Sequence, residues 1–258
     1  MSNNVFIYHH LGLGDHFHCN GVVRFIINHQ HKNKKFKLFA KSKYYEMVKF
    51  MYRDIEDLKI IEISNNEEQE KDEIESYIKD GDILEKIGFD YFLKNKNQNK
   101  TIDMLFYEQF NIEYSRRFEL TYWKRDHEKE NRLYDLLVNN PNYIFVHDDP
   151  SRGFTIPEKL LSKNYQIIKN SYEYSIFDYC KIIENAKEIH VMESSARCMM
   201  EYLNTSRAAH FLYDFVGGPW KSIPFYNQKK EIIGSVKKWK IININFKKKN
   251  FLQKFLGL

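Results

Sequence analysis

Cysteine is scarce in this 258-residue chain, and the three present, Cys19, Cys180 and Cys198, are odd in number and lack paired spacing. That pattern indicates neither a disulfide framework nor a structural zinc site, and reduced, intracellular thiols are expected. No window approaches the roughly 18 uninterrupted apolar residues that a spanning helix needs, so no transmembrane segment is expected. The N-terminus lacks a basic stretch followed by an apolar one and so does not read as a secretory signal. A soluble, cytoplasmic protein is the expectation. Strong excess charge is missing too: 40 Lys and Arg stand against 35 Asp and Glu, a formal +5. This balance admits a phosphate-bearing ligand but falls short of the basic bias of a nucleic-acid binder. The surplus sits in short runs such as Lys34-Lys35, Lys229-Lys230 and Lys247-Lys248-Lys249, opposed by an acidic run from Glu67 to Glu75, and these read as solvated faces.

What the chain does have is apolar material and alternation. A hydrophobic fraction of 43% with 16% aromatics supplies core for one large domain or two compact ones. Strand-like runs at 5–10, 36–40 and 58–63 alternate with helical patterns, including one around 44–52 and a polar one at 67–79, and a shorter apolar segment follows at 83–92. The alternation predicts βαβ units and a mainly parallel sheet. Residues 101–140 are charged, aromatic and helical in pattern, and their aromatics read as packing surface more readily than as a stacking platform. Pro141 introduces a second series: strands at 143–147, 165–168, 188–192 and 209–213, with helices at 176–185 and 195–203. The domain boundary is therefore placed near Pro141, giving domains 1–140 and 141–246, with a short C-terminal helix at 247–258 expected to pack back on the first domain.

The chemistry concentrates where strands turn into helices. The first strand runs into Leu11-Gly12-Leu13-Gly14-Asp15, and two glycines at such a turn let backbone approach a ligand whose anion meets the helix N-terminus. Asp15 changes that reading. A carboxylate at the lip of the turn repels phosphate but suits a general base aimed at a hydroxyl; the bland alternative is an N-cap, a role Asp also fills. His9, His10, His16 and His18 crowd the same turn, but adjacent and i,i+2 spacing does not converge on one metal, so no metal site is expected. His16 is carried forward, with Gly12 and Gly14, as an acceptor-side residue. His147-Asp148-Asp149-Pro150-Ser151-Arg152 lies at the end of the first strand of the second half, where open α/β sheets bind ligands. Arg152 suits a diphosphate and the charge that grows on it as it leaves; the alternative is an ordinary polar turn. Glu193-Ser194-Ser195 follows a buried strand: the serines and helix amides suit phosphate or ribose, Glu193 suits ribose hydroxyls, and Arg197 adds charge one turn inside. Trp220, after Gly217-Gly218-Pro219, is a candidate for stacking or for lining an acceptor cleft.

Two α/β halves facing across a cleft resemble the GT-B glycosyltransferases. The Gly12-Leu13-Gly14-Asp15 turn is similar to the glycine-turn-aspartate of the lipopolysaccharide heptosyltransferase family, whose aspartate is the proposed base. Residues 176–203 resemble that family's helix, strand with a small polar pair, and helix, which hold the nucleotide-sugar donor. The donor-side stretch here lacks the aspartate, glycine and histidine usual after that strand, and the chain is shorter than typical bacterial members; small virus-encoded enzymes of compact GT-B form are a further comparison. The resemblance implies two Rossmann-like domains with mainly parallel sheets, the first on the acceptor side and the second on the donor side. It further implies a metal-independent, inverting transferase acting on a nucleoside-diphosphate sugar and a glycan or glycolipid acceptor. Asp15 and Arg152 would be catalytic, and His147, Glu193, Ser194, Ser195 and Arg197 would join Arg152 in holding the donor. No cofactor beyond the donor substrate is expected. The competing expectation is a nucleotide- or sugar-binding module without catalysis. A Rossmann oxidoreductase fits less well, because the third glycine of the dinucleotide fingerprint and an acidic residue ending a second strand are both missing.

Overall fold

The computed structural model describes residues 4–31, 33–95, 100–215 and 232–244. The chain forms two Rossmann-like α/β domains, each built on an all-parallel sheet. The first sheet has strand order β3-β2-β1-β4, from β1 (Asn4–Tyr8), β2 (Lys35–Lys41), β3 (Leu58–Ile63) and β4 (Ile83–Lys86). Helices α1 (Leu13–Phe25), α2 (Tyr45–Met51) and α3 (Glu70–Tyr77) make its crossovers. The chain then passes through α4 (Phe89–Asn95), α5 (Ile102–Gln109), α6 (Arg117–Leu120) and α7 (His127–Leu137). The second sheet has order β6-β5-β7-β8-β9, from β5 (Tyr143–His147), β6 (Gln166–Lys169), β7 (Glu188–Met192), β8 (Ala209–Asp214) and β9 (Trp239–Asn243). Among its connections are α8 (Cys180–Asn185) and α9 (Ser195–Met200).

The central strands explain why both sheets form. In β1, Val5, Phe6, Ile7 and Tyr8 are all buried, the unbroken apolar run of a parallel strand covered on both faces. Alternation splits them: Val5 and Ile7 face one apolar cluster, Phe6 and Tyr8 another with Phe39 and Ile74. Strand β5 repeats the scheme, sending Tyr143 and Phe145 to the first cluster and Ile144 and Val146 to a third. The first cluster is thus shared by the inner faces of both sheets. Aromatic rings knit it together: Phe177 of the second half lies 4.7 Å from Phe50 and 5.6 Å from Phe17, ring centre to ring centre, with Trp123 at 5.8 Å.

In both sheets the order in which the strands are added reverses at one strand. Strand β1 pairs with β2 on one side and β4 on the other, and β5 pairs with β6 and β7. Ligands of open parallel sheets bind at the carboxyl ends of strands at such reversals. Here the reversals open onto residues 9–15 and onto 148–152 and 193–195, and α1 packs directly on α9, bringing the two sets together.

Differences from the sequence reading are local. Strand β1 ends at Tyr8, so His9 and His10 belong to the turn, and α1 continues as a π-helical turn over Ile26–Gln30. The region 101–140 is broken into short helices; Phe106, Tyr107, Phe110 and Trp123 pack in the core, while Tyr122 is exposed. Strand β9 was not anticipated. Trp220 and the expected helix at 247–258 lie outside the described residues. Among those described, no helix is long and apolar enough to cross a membrane.

Candidate functional site

Gly12 is the N-cap of α1, in extended backbone at φ −70° and ψ 148°, and Asp15 is the third residue inside the helix. A Cβ at Gly12 would sit 2.7 Å from Asp15 Oδ2, so glycine there leaves the carboxylate room to fold back over the turn. The carboxylate turns back toward the cap, the acidic half of a capping box, and the Gly12 amide that it accepts from favours its charged form. Burial outweighs that bond and pushes the carboxyl up to about 7, with Asp103 adding to the rise and Lys41 opposing it. Gly14 serves the other side of the turn. A Cβ there would lie 3.4 Å from Cys198 Sγ and 3.8 Å from the Ser195 backbone, so glycine lets the N-terminal turns of α1 and α9 approach closely.

Two cavities flank this crossing, and Gly14, Glu193, Ser194 and Ser195 line both. The smaller, of about 210 Å³, contains Asp15, His18, Asp103, Arg117, Arg197 and Cys198. Asp103 lies 3.5 Å from His18 Nδ1 and accepts the Tyr114 hydroxyl. Burial alone would raise its carboxyl, but His18, Tyr114 and Arg197 together hold it below the usual range. On its other side His18 Nε2 stands 3.2 Å from Cys198 Sγ; burial lowers the basicity of that imidazole despite Asp103. Arg117 is buried across the cavity, donating to the backbone carbonyls of Tyr114 and Gly234 and lying on the Tyr114 ring.

The larger cavity, of about 640 Å³, falls within the range of small-molecule sites. Lys43 and Tyr44 approach it from the first half, His147, Arg152, Tyr172 and Tyr174 from the second. Burial drives the pKa of His147 down to about 4, so its imidazole is neutral, and Nδ1 stands 3.5 Å from the Ser194 hydroxyl. Arg152 is half exposed and donates to Asp149 at 2.5 Å. Partial burial works against the Asp149 charge, but bonds from Ser151 and Arg152 prevail and bring its carboxyl to about 2.

Set against the sequence, the structure gathers Gly12, Gly14, His147, Arg152, Glu193, Ser194 and Ser195 around one cavity, and Gly14, Asp15, Glu193, Ser194, Ser195 and Arg197 around its neighbour. Three expectations need correction. Asp15 and Arg152 do not line one crevice; they line adjoining cavities that share Gly14, Glu193, Ser194 and Ser195 as walls. Arg197 lines the smaller cavity and not the larger one, buried between Glu193 at 2.9 Å and Glu201 at 3.2 Å. The same pairing engages the Glu193 carboxylate. His16 is fully buried with its ring 4.4 Å from that of His9, on neither cavity; His18, three residues beyond Asp15 on the same helix face, lines the wall instead. Sequence reasoning missed Asp103, Tyr114, Arg117 and Glu201. Glu201 had a signal, because Arg197, Cys198 and Glu201 lie at i, i+1 and i+4 of one helical run. Trp220, as noted, is not among the described residues.

No family model matches the sequence, and no curated protein matches it. Among solved structures, the chain is similar to the glycosyl transferase family 9 protein from Veillonella parvula DSM 2008, with a TM-score of 0.52 and 9% sequence identity, over 99% of this chain and 92% of that one. The likeness is one of fold, and it extends through both Rossmann-like halves.

Proposed function

We propose that this protein is a glycosyltransferase that moves a sugar from a nucleoside-diphosphate sugar to a hydroxyl of a glycan or glycolipid. The observation that carries the reading is Asp15: a carboxyl at a sheet reversal, on a cavity wall, whose burial brings its proton affinity to about 7. A base of that strength is half ionised at neutral pH and strong enough to take a proton from a hydroxyl as it attacks. The overall likeness to a family 9 glycosyl transferase supports the same class.

In this reading the donor occupies the larger cavity. Lys43 and Arg152 meet its diphosphate, and the α9 amides with the Ser194 and Ser195 hydroxyls complete the phosphate contacts. Arg152 exchanges Asp149 for phosphate as the donor enters, and charge growing on the leaving diphosphate strengthens that bond in the transition state. The donor sugar extends past the shared wall at Gly14, Ser194 and Ser195 toward the smaller cavity, where the acceptor enters and Asp15 removes the hydroxyl proton while the oxygen attacks the anomeric carbon. One in-line displacement inverts that carbon. No residue of the site is assigned to a metal.

The test is a thermal-shift screen against nucleoside diphosphates and their sugars, followed by turnover of any donor that stabilises the fold by mass action. Binding with transfer supports the enzyme. Binding without hydrolysis or transfer favours a non-catalytic nucleotide- or sugar-binding module, and no stabilisation by any of them removes both readings.

A further inference from the structure

The smaller cavity contains a second chemical arrangement that sugar transfer does not use. Cys198 Sγ, His18 and Asp103 form a chain of contacts, 3.2 Å from sulfur to Nε2 and 3.5 Å from Nδ1 to the carboxylate. A thiol, an imidazole within its reach and a carboxylate that orients the imidazole are the parts of an activated nucleophile. The orienting member is itself fixed, because the Tyr114 hydroxyl donates to Asp103. The three side chains come from α9, α1 and α5, so only the assembled fold creates the chain. All three cysteines are buried in the apolar core, Cys198 at 4% exposure, but of the three Cys198 alone also lines the cavity. On the same wall Glu201 is more than nine-tenths buried; its Oε1 accepts from Arg197, Ser235 and Trp239, and its Oε2 has no hydrogen-bond partner among the described residues. That oxygen marks room for a donor from a bound group.

We propose that Cys198 is a covalent modification site, reacting with small disulfides whose tails carry a hydrogen-bond donor, with His18 as its base and Asp103 as the residue that positions His18. In the exchange the S–H proton passes to His18 Nε2 as sulfur attacks one sulfur of the disulfide. That S–S bond breaks, a new one forms to Cys198, and the departing thiolate takes the proton from His18. No external oxidant or reductant is consumed. The tail left on Cys198 projects into the cavity, where its hydroxyl or ammonium reaches Glu201 Oε2.

The surroundings define how the reaction responds to pH. Asp103, Arg197, Glu201 and Arg117 act on His18, and Arg197, Glu193, Asp15 and Asp103 act on Cys198. Burial pushes the thiol up, Arg197 notwithstanding, so the sulfur rests as S–H and needs its base during attack. The rate then follows the neutral imidazole. It is flat from pH 7 to 8.5, where a bare thiol below its pKa gains about tenfold per pH unit.

The experiment exposes the folded full-length protein to 2-hydroxyethyl disulfide and reads each cysteine by peptide mass. Expected is one adduct, on Cys198, removed by dithiothreitol, with Cys19 and Cys180 untouched. His18→Gln, checked for folding by circular dichroism, slows the reaction about 100-fold and restores the rise with pH; Asp103→Asn gives a smaller loss in the same direction. Reaction of Cys198 only after denaturation, or a rate and pH profile unchanged in His18→Gln, overturns the proposal. Because the readout is mass, with no sugar donor present, it stands or falls separately from the transferase reading.

Discussion

The two halves carry charge at their sheet reversals in opposite ways. In the first half Asp15 has no cation within ion-pairing distance among the described residues; it contacts the Gly12 amide and is tuned mainly by desolvation. In the second half the cations at the reversal are matched: Arg152 with Asp149, and Arg197 with both Glu193 and Glu201. An uncompensated buried carboxyl is costly to ionise and therefore binds protons at neutral pH, which is what a base needs. A compensated cation is stable at rest and binds an incoming anion only by giving up its partner. In the function proposed above the halves divide the labour between proton chemistry and charge exchange, and substitutions on either side test that division.

The largest effect belongs to the first half. If Asp15 is the base proposed above, Asp15→Asn keeps the shape and removes it, so transfer falls about 10²- to 10⁴-fold while donor binding, read by thermal shift, persists. In the unaltered protein the transfer rate climbs as pH rises through about 7, because the ionised form is the active one, and levels off above. A rate independent of pH from 5.5 to 8, or full turnover in the asparagine variant, would assign proton removal elsewhere.

Arg197 is the largest test of the second half, and its readout is stability. Arg197→Met fills similar space but strands the buried Glu201 and the partly buried Glu193 without their cation. Breaking one member of a buried ion network costs about 3–5 kcal/mol, which urea denaturation measures directly. A loss below about 1 kcal/mol would show that the second half does not depend on matched charge.

How much of this was legible before folding differs between the halves as well. Asp15 and Glu193-Ser194-Ser195 stood out because each sits where an apolar strand gives way to a helix, a pattern local in sequence. The strands were legible for the same reason, through runs such as 58–63 and 188–192. Strand β9 was not, since Trp239-Lys240-Ile241-Ile242-Asn243 is a short edge strand with charge on both sides. Asp103, Tyr114 and Arg117 were hidden differently. They come from the segment between the sheets, where aromatic and charged residues read as packing, and only its return to the α1–α9 crossing makes them a wall. His16 and His18 show the limit of composition: four clustered histidines gave no direction, whereas helical phase places His18 with Asp15 and turns His16 inward.

Gly12→Ala sharpens the view of the first half. The added Cβ meets Asp15 Oδ2 at 2.7 Å, too close to hold, but the obstacle is the end of a rotatable side chain. Backbone at φ −70° accepts alanine, so the fold survives and the carboxylate swings away from its cap. Turnover falls about tenfold with little change in donor affinity, the consequence of misplacing a base without removing it. Equal loss of donor affinity would place Gly12 on the donor side instead.

The smallest effect is expected at Arg152, and it separates a resting pair from a working one. The side chain is half exposed, and ion pairs of that kind contribute about 0–1 kcal/mol, so Arg152→Ala leaves the urea midpoint nearly unchanged. Donor binding behaves otherwise. A charged hydrogen bond to phosphate is worth about 1.5–3 kcal/mol in place of water, and surrendering Asp149 offsets part of it, leaving roughly a tenfold weakening. Asp149→Asn works in the reverse direction: it frees the guanidinium and tightens diphosphate binding by a few-fold, or leaves it unchanged if Arg152 then loses its orientation. If Arg152→Ala weakens nothing while Lys43→Ala does, the anion is held from the first half, and the division of labour between the two reversals gives way to a single charged wall.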